Sequence, residues 1–143
     1  MQKITNILSP IATTLSLTFI RSQNLSEANI DMHYDTAAKD LMIYNGEGKI
    51  VTNFNSGPLG EDQVDVEVYF LRLKTSADMD GAALELQYEA VRTIANKAYF
   101  DIQQTSSVYR YPTAFELEPV EVGTDMYIGY MMKLVITVEN DGC

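Results

Sequence analysis

The chain is poor in the residue types on which most catalytic and metal chemistry depends. Its 143 residues include one cysteine, Cys143, and one histidine, His33. A single cysteine leaves no intramolecular disulfide and no cysteine metal cage, and its distance in sequence from His33 argues against a Cys/His nucleophilic pair. Positive charge is also scarce: ten Lys and Arg stand against twenty Asp and Glu, a formal net charge of -10. Clustered Lys and Arg are what neutralise phosphates, so a nucleic-acid-coating role is excluded. Long apolar runs are missing as well. The first twenty residues are interrupted by Thr5, Asn6, Ser9, Pro10, Thr13, Thr14, Ser16 and Thr18, too often for the apolar core of about 7–15 residues in a signal peptide. No window approaches the roughly 18 apolar residues of a membrane span. No leader and no membrane anchor are therefore expected, and a cytoplasmic origin is. Internal repeats are absent too, which excludes solenoids and propellers.

What remains is an ordinary globular composition, 46% hydrophobic and 21% charged, sufficient for one core, and residues 1–143 read as a single domain. Ile4, Ile7 and Leu8 form a small stripe that predicts a short N-terminal helix over residues 2–8, stopped by Pro10. Residues 14–20 read as a strand, with Leu15, Leu17 and Phe19 alternating against polar neighbours. Residues 21–40 carry mixed polar signals and read as an irregular insertion with a short strand at 30–34. Residues 41–44, the turn Asn45-Gly46-Glu47-Gly48 and residues 49–54 carry the strongest hairpin signal. The glycines and proline of 55–60 make a connection. Val64, Val66, Val68 and Phe70 alternate with Asp65, Glu67 and Tyr69, which predicts a half-buried strand over 64–73. Leu84, Tyr88, Val91, Ala95, Ala98 and Ile102 recur at helical spacing and predict the main amphipathic helix at about 80–103. Asp78 or Asp80 would cap it, and Arg92 and Lys97 would complement its dipole. Phe115 and Leu117 alternate with Glu116 and Glu118 in a short edge strand that Pro119 interrupts. Residues 127–139 read as a central strand, so the class is α+β.

The chemical motifs resolve to ordinary structure. Asp31-Met32-His33-Tyr34-Asp35 lacks the second cluster that metal coordination needs. Gly46-Glu47-Gly48-Lys49 lacks the spacing of a phosphate loop and no helix follows it. Glu116, Glu118 and Glu121 alternate with apolar residues as a solvated strand face does, rather than as paired general acids and bases. Tyr99, Tyr109, Tyr111, Tyr127, Tyr130 and the pair Met131-Met132 suit a core or a subunit contact better than a cofactor site. No enzymatic activity, cofactor or metal is expected.

The strand Val64-Asp65-Val66-Glu67-Val68-Tyr69-Phe70-Leu71, the helix through Ile102, the segment Phe115-Glu116-Leu117-Glu118-Pro119-Val120 and the strand beginning Tyr127-Ile128-Gly129-Tyr130-Met131-Met132, taken in that order with the chain length, carry a likeness. The pattern resembles the small neck and tail-completion proteins of tailed bacteriophages, the tail-terminator and head–tail connector group. It covers half to two thirds of the chain, and residues 21–40 match no part of it. The resemblance implies a mostly antiparallel β-sheet packed against the one main helix. It also implies a structural virion protein that forms a homo-oligomeric ring of about six or twelve subunits at the head–tail junction, the neck or the tail terminator. Such a protein is assembled in the bacterial host cytoplasm, contacts connector, portal or tail proteins, and leaves a channel through which DNA passes without sequence-specific binding. Negative charge suits such a channel, because carboxylates repel phosphates and let the genome slide.

Rings are held by interfaces in which one patch meets a different patch on the neighbour. The candidate interface residues are Ile4, Ile7 and Leu8 at the N-terminus, Asn45, Gly46, Glu47 and Gly48 at the hairpin tip, and Pro58 and Leu59 in the connection. On that expectation, removal of residues 1–10 leaves a folded, soluble monomer that assembles poorly. The competing reading is a cytosolic α+β binding module that recognises a protein or small ligand on the sheet face opposite the helix.

Overall fold

The apolar spacing that opens at Ile4 does not stop at Pro10. In a computed structural model, which describes residues 2–21, 40–54, 60–74, 80–105, 108–110, 114–122 and 127–139, helix α1 runs from Gln2 to Thr14 with Pro10 inside it. Proline removes one helical hydrogen bond, yet Pro10 lies on the exposed side while Ile4, Ile7, Leu8, Ile11 and Ala12 are buried in the main core. The stripe therefore extends a full turn beyond the expected boundary, and its burial outweighs the lost bond.

The expected strand over 14–20 is shortened for a related reason. Helix α1 ends in paired bonds from the Leu17 amide to the Ala12 carbonyl (2.8 Å) and from the Ser16 amide to the Thr13 carbonyl (3.2 Å). Ser16 sits between them at φ 59°. This is the Schellman arrangement, usually completed by glycine, with Leu17 and Ala12 both in the core. Strand β1 (Thr18–Arg21) starts only after it.

Strand β2 (Leu41–Asn53) is one continuous strand where the Asn-Gly pair predicts a hairpin. It lies antiparallel to β3 (Glu61–Leu73), and the register shifts between Tyr44 and Glu47 and again between Glu47 and Ile50. Gly46 adopts φ +98° there, so the residues that suggested a chain reversal instead make bulges within a strand. The reversal occurs further on, between β2 and β3. The insertion with its expected strand at 30–34, and the Asp31–His33–Asp35 motif, lie outside the described residues.

Strand β3 leads to helix α2 (Gly81–Gln103), capped by Asp80, whose carboxylate accepts the Ala83 amide at 2.8 Å. Val91, Ala95, Ala98 and Ile102 are buried as their spacing predicts, together with Gln87, whose side-chain amide donates to the Arg72 and Leu73 carbonyls. The expected dipole match is corrected: no acidic residue stands in the first turn and no basic residue in the last, and charges further in interact little with the dipole. Strands β4 (Val108–Arg110), β5 (Phe115–Val122) and β6 (Tyr127–Glu139) complete the described elements. Pro119 does not interrupt β5. An edge strand accommodates proline, because an outward N–H has no ladder to donate to.

The result is α+β: a six-stranded sheet in the order β1-β2-β3-β6-β4, with β5 also on β6 beside β4. All pairs are antiparallel except β1 with β2. Strand β6 is central, as its sequence predicts, with β3 on one side and β4 and β5 on the other. Both helices cover one sheet face, where Met42, Val66, Val68, Phe70, Met132, Leu134 and Ile136 meet the stripes of α1 and α2. At the margin of the sheet, Arg72 Nε and Nη2 donate to the two carboxylate oxygens of Asp40 (2.9 and 2.8 Å), and the Asp40 carbonyl accepts the Thr18 amide at 2.9 Å. That fork ties the end of β3 to the starts of β1 and β2.

Two substitutions test this packing. Leu8 is fully buried, so Leu8→Ala should lower unfolding free energy by about 2–5 kcal/mol in urea titrations; removal of residues 1–10 should then unfold the chain rather than yield the folded monomer expected from sequence. A Cβ on Gly129 would lie 1.8 Å from the Phe70 carbonyl oxygen on the neighbouring strand. Gly129→Ala should therefore abolish cooperative thermal unfolding, as read by circular dichroism.

Candidate functional site

Strand alternation leaves one sheet face turned away from the helices. On β3 it carries Asp65, Glu67, Tyr69 and Leu71. The ladder sets Lys133 of β6 beside Glu67, Met131 beside Tyr69 and Gly129 beside Leu71. On the far side of β6, Glu116 lies across from Lys133, Glu118 from Met131 and Val120 from Gly129.

The face thus divides along the strands. One end is apolar: Leu41, Ile43, Leu71 and Tyr127 form a second buried cluster, with Ile20, Tyr69, Leu73 and Val120 packed against it. The other end is largely acidic: Glu67 and Glu116 stand on the rung of Lys133, with Asp65 and Glu118 on the next positions of the same face and the exposed Val135 beside Asp65. Asp65, Glu116 and Glu118 are exposed and Glu67 is half-buried. Tyr69 marks the boundary between the two ends. Burial raises its phenol pKa above the ordinary value, and the charges of Glu67 and Glu118 raise it further, since both oppose formation of phenolate.

The candidate residues from sequence are distributed differently. Ile4, Ile7 and Leu8 are 0%, 2% and 0% exposed, so these side chains are used within the chain's own core and form no exposed docking patch. Asn45, Gly46, Glu47 and Gly48 lie within β2 and project as no hairpin tip. Pro58 and Leu59 lie outside the described residues. The three glutamates of β5 separate: Glu116 and Glu118 belong to the open face, while Glu121 lies on the helix side, where its charge raises the pKa of Tyr88 after burial has done so. Of the tyrosines, Tyr99 packs on Phe115 with ring centroids 4.3 Å apart, and Tyr130 meets Tyr88 edge-on at 5.6 Å. Among the described residues no group of three His, Cys, Asp or Glu is placed to hold a metal ion, and no helix is long and apolar enough to cross a membrane.

Sequence reasoning placed Asp65 and Glu67 on a polar strand side but did not join them to Glu116, Glu118 and Lys133. The only available signal is that β3 and β5 carry charge at alternate positions and β6 carries one lysine, and register, which is non-local, decides whether those positions meet.

Among the described residues the sheet also has two margins that carry no further strand. Strand β1 pairs with β2 only from Leu41 to Tyr44, and beyond it Gly48, Lys49, Ile50, Val51 and Thr52 are all exposed. On the opposite margin β5 pairs with β6, and with no other strand among the described residues. Helix α2 presents Leu86 and Phe100 outward, with the Lys97 ammonium 5.3 Å from the Phe100 ring centre.

No protein-family model matches the chain, and no curated protein matches it either.

The Tyr69 environment is directly measurable. Glu67→Gln with Glu118→Gln should lower the Tyr69 pKa, followed by NMR of the ring carbons, while leaving it above the ordinary value near 10, because burial is the larger cause. A folded-state pKa raised in this way contributes stability below the unfolded value, and that stability is lost as pH rises through the folded value. The double variant should therefore lose this contribution at a lower alkaline pH than the parent chain.

Proposed function

We propose that the chain is a structural virion protein that forms a ring at the head–tail junction of a tailed bacteriophage, as a neck or tail-terminator ring, with its open sheet face lining the DNA passage. The observation that carries this reading is the largely acidic end of that face, four carboxylates and one ammonium. A surface of that sign repels the phosphate backbone, which carries one charge per about 1.7 Å of duplex. It lets DNA pass without being held. The helices on the other face would then turn outward and be free to meet connector, portal or tail proteins. A sheet with two different open margins also suits a head-to-tail ring, whose contacts join unlike surfaces.

Light scattering and negative-stain microscopy of the purified chain should give a homogeneous ring of about six or twelve subunits with a central opening. A stable monomer whose melting temperature responds to a small ligand or protein would overturn the ring reading in favour of a cytosolic binding module. Charge reversal gives a second test. The parent ring should not retain duplex DNA at low salt, and Glu67→Lys with Glu118→Lys should create retention that disappears as salt is raised; tight binding by the parent would overturn the channel assignment.

A further inference from the structure

We infer that helix α2 pairs with the α2 of a second copy of the chain, antiparallel, across a twofold axis at Thr93. The inference concerns the outward side of one helix and does not rest on the ring reading.

Helix periodicity defines the surface. Leu86, Thr93 and Phe100 follow one another at intervals of seven, and seven residues bring an α-helix back to within about 20° of the same side. That side is opposite the one that Val91, Ala95, Ala98 and Ile102 bury against the core. Leu86 and Phe100 are accordingly 67% and 52% exposed, high values for large apolar side chains. Thr93 between them is exposed too, as are Glu89 and Lys97, which flank the line four residues before and after Thr93.

Reversal about Thr93 turns this stripe into its own complement. Leu86 lies seven residues before Thr93 and Phe100 seven after, so in an antiparallel pair each leucine meets the phenylalanine of the second copy. Glu89 and Lys97 exchange in the same way. Each carboxylate then stands level with the opposite ammonium, both about 40° off the seam and within reach of long side chains. A parallel pair would instead set glutamate on glutamate and lysine on lysine. Charge therefore selects both the occupant, a second copy, and its direction. Glu85 and Asp101, which the same reversal brings level, lie about 80° to opposite sides of the seam and stay apart.

The seam is also prepared for contact. Thr93 is smaller than Leu86 or Phe100, and its hydroxyl already donates to the Glu89 carbonyl at 3.1 Å, so covering it strands no donor. The Lys97 ammonium lies 5.3 Å from the Phe100 ring centre and 3.2 Å from the Asp101 carboxylate. It is thus held beside the seam before a second copy arrives, which lessens the ordering that pairing must impose. Leu86 and Phe100 lie about 21 Å apart along the helix. A contact of that length, one helix per copy, belongs to the small end of protein interfaces, so the association is reversible and depends on concentration.

Disulfide trapping reads the axis, on denaturing gels and in a Cys143→Ser background. Helix axes about 8–10 Å apart, with Cα atoms about 2.3 Å from each axis, put facing Cα atoms about 4–5 Å apart, in disulfide range. Thr93→Cys alone should therefore form a dimer on mild oxidation. Leu86→Cys and Phe100→Cys should each cross-link poorly alone, their copies being about 21 Å apart, and efficiently when mixed. Charge gives the second reading. Added to Thr93→Cys in a glutathione buffer, Glu89→Lys or Lys97→Glu should each lower the effective concentration of the thiols about tenfold. Mixing the two should restore it as a mixed dimer, because every contact again joins opposite charges. Circular dichroism checks that these exposed substitutions leave the fold intact. Leu86→Cys cross-linking as well alone as with Phe100→Cys overturns the antiparallel direction, and charge variants that gain nothing on mixing overturn the complementarity. No Thr93→Cys dimer between about 10 μM and 1 mM chain overturns the contact altogether.

Discussion

The ladder between β3 and β6 is the constraint on which the rest of the fold depends. Thirteen residues of each strand pair without a register shift, from Glu61 opposite Glu139 to Leu73 opposite Tyr127. Because side chains alternate, that one register decides both faces at once. It places Val64, Val66, Val68 and Phe70 beside Ile136, Leu134, Met132 and Tyr130 under the helices, and in the same act aligns Glu67 with Lys133 on the other side. A slip of one residue would send the core to solvent and the carboxylates into the core. Gly129 enforces the close approach at one end, since any side chain there meets the Phe70 backbone. The neighbours of this pair, β2 on one side and β5 on the other, inherit their alignment from it.

Elements whose signal is local were legible from sequence. The periodicity of α2, its Asp80 cap, the alternation of β3 and the long apolar strand β6 were all readable, and with them the α+β class. The misread boundaries lie where a residue with a strong local preference is overruled by packing. Pro10 remains in a helix because Ile11 and Ala12 beyond it reach the core. Asn45-Gly46 bends a strand rather than reversing the chain, because β2 gains more by following β3 along its length than by folding on itself. Pro119 stays in a strand because that strand has a free side. Ser16 holds a left-handed conformation usually given to glycine, which hid the true end of α1.

The candidate site was less legible than the fold, for a physical reason. Each of its charged residues was visible as the polar half of an alternating strand, but a shared surface exists only once strands distant in sequence are set side by side. The N-terminal apolar residues illustrate the reverse problem. Ile4, Ile7 and Leu8 looked like a sticky patch because sequence does not reveal whether an amphipathic helix packs on its own chain or on a neighbour. Overall charge was informative only after register had concentrated it: a net charge of -10 spread over all surfaces says little, whereas the carboxylates of β3 and β5, set on either side of β6 on one face, define a field.

The order of the strands in the chain has a consequence for synthesis. The central strand β6 is made after α2, β4 and β5, so a growing chain holds β3 with its Val64, Val66, Val68 and Phe70 side chains ready and no partner on that margin. At cellular elongation rates of about 5–20 residues per second, the wait lasts on the order of 3 to 10 s. During that interval α1 and α2 have only part of a sheet to lie on, and the hairpin of β2 and β3 is an unfinished template for pairing with any other nascent chain. Completion of the sheet is therefore late, and ribosomes crowded on one message would hold many such open margins close together, where a holdase chaperone has the most to protect.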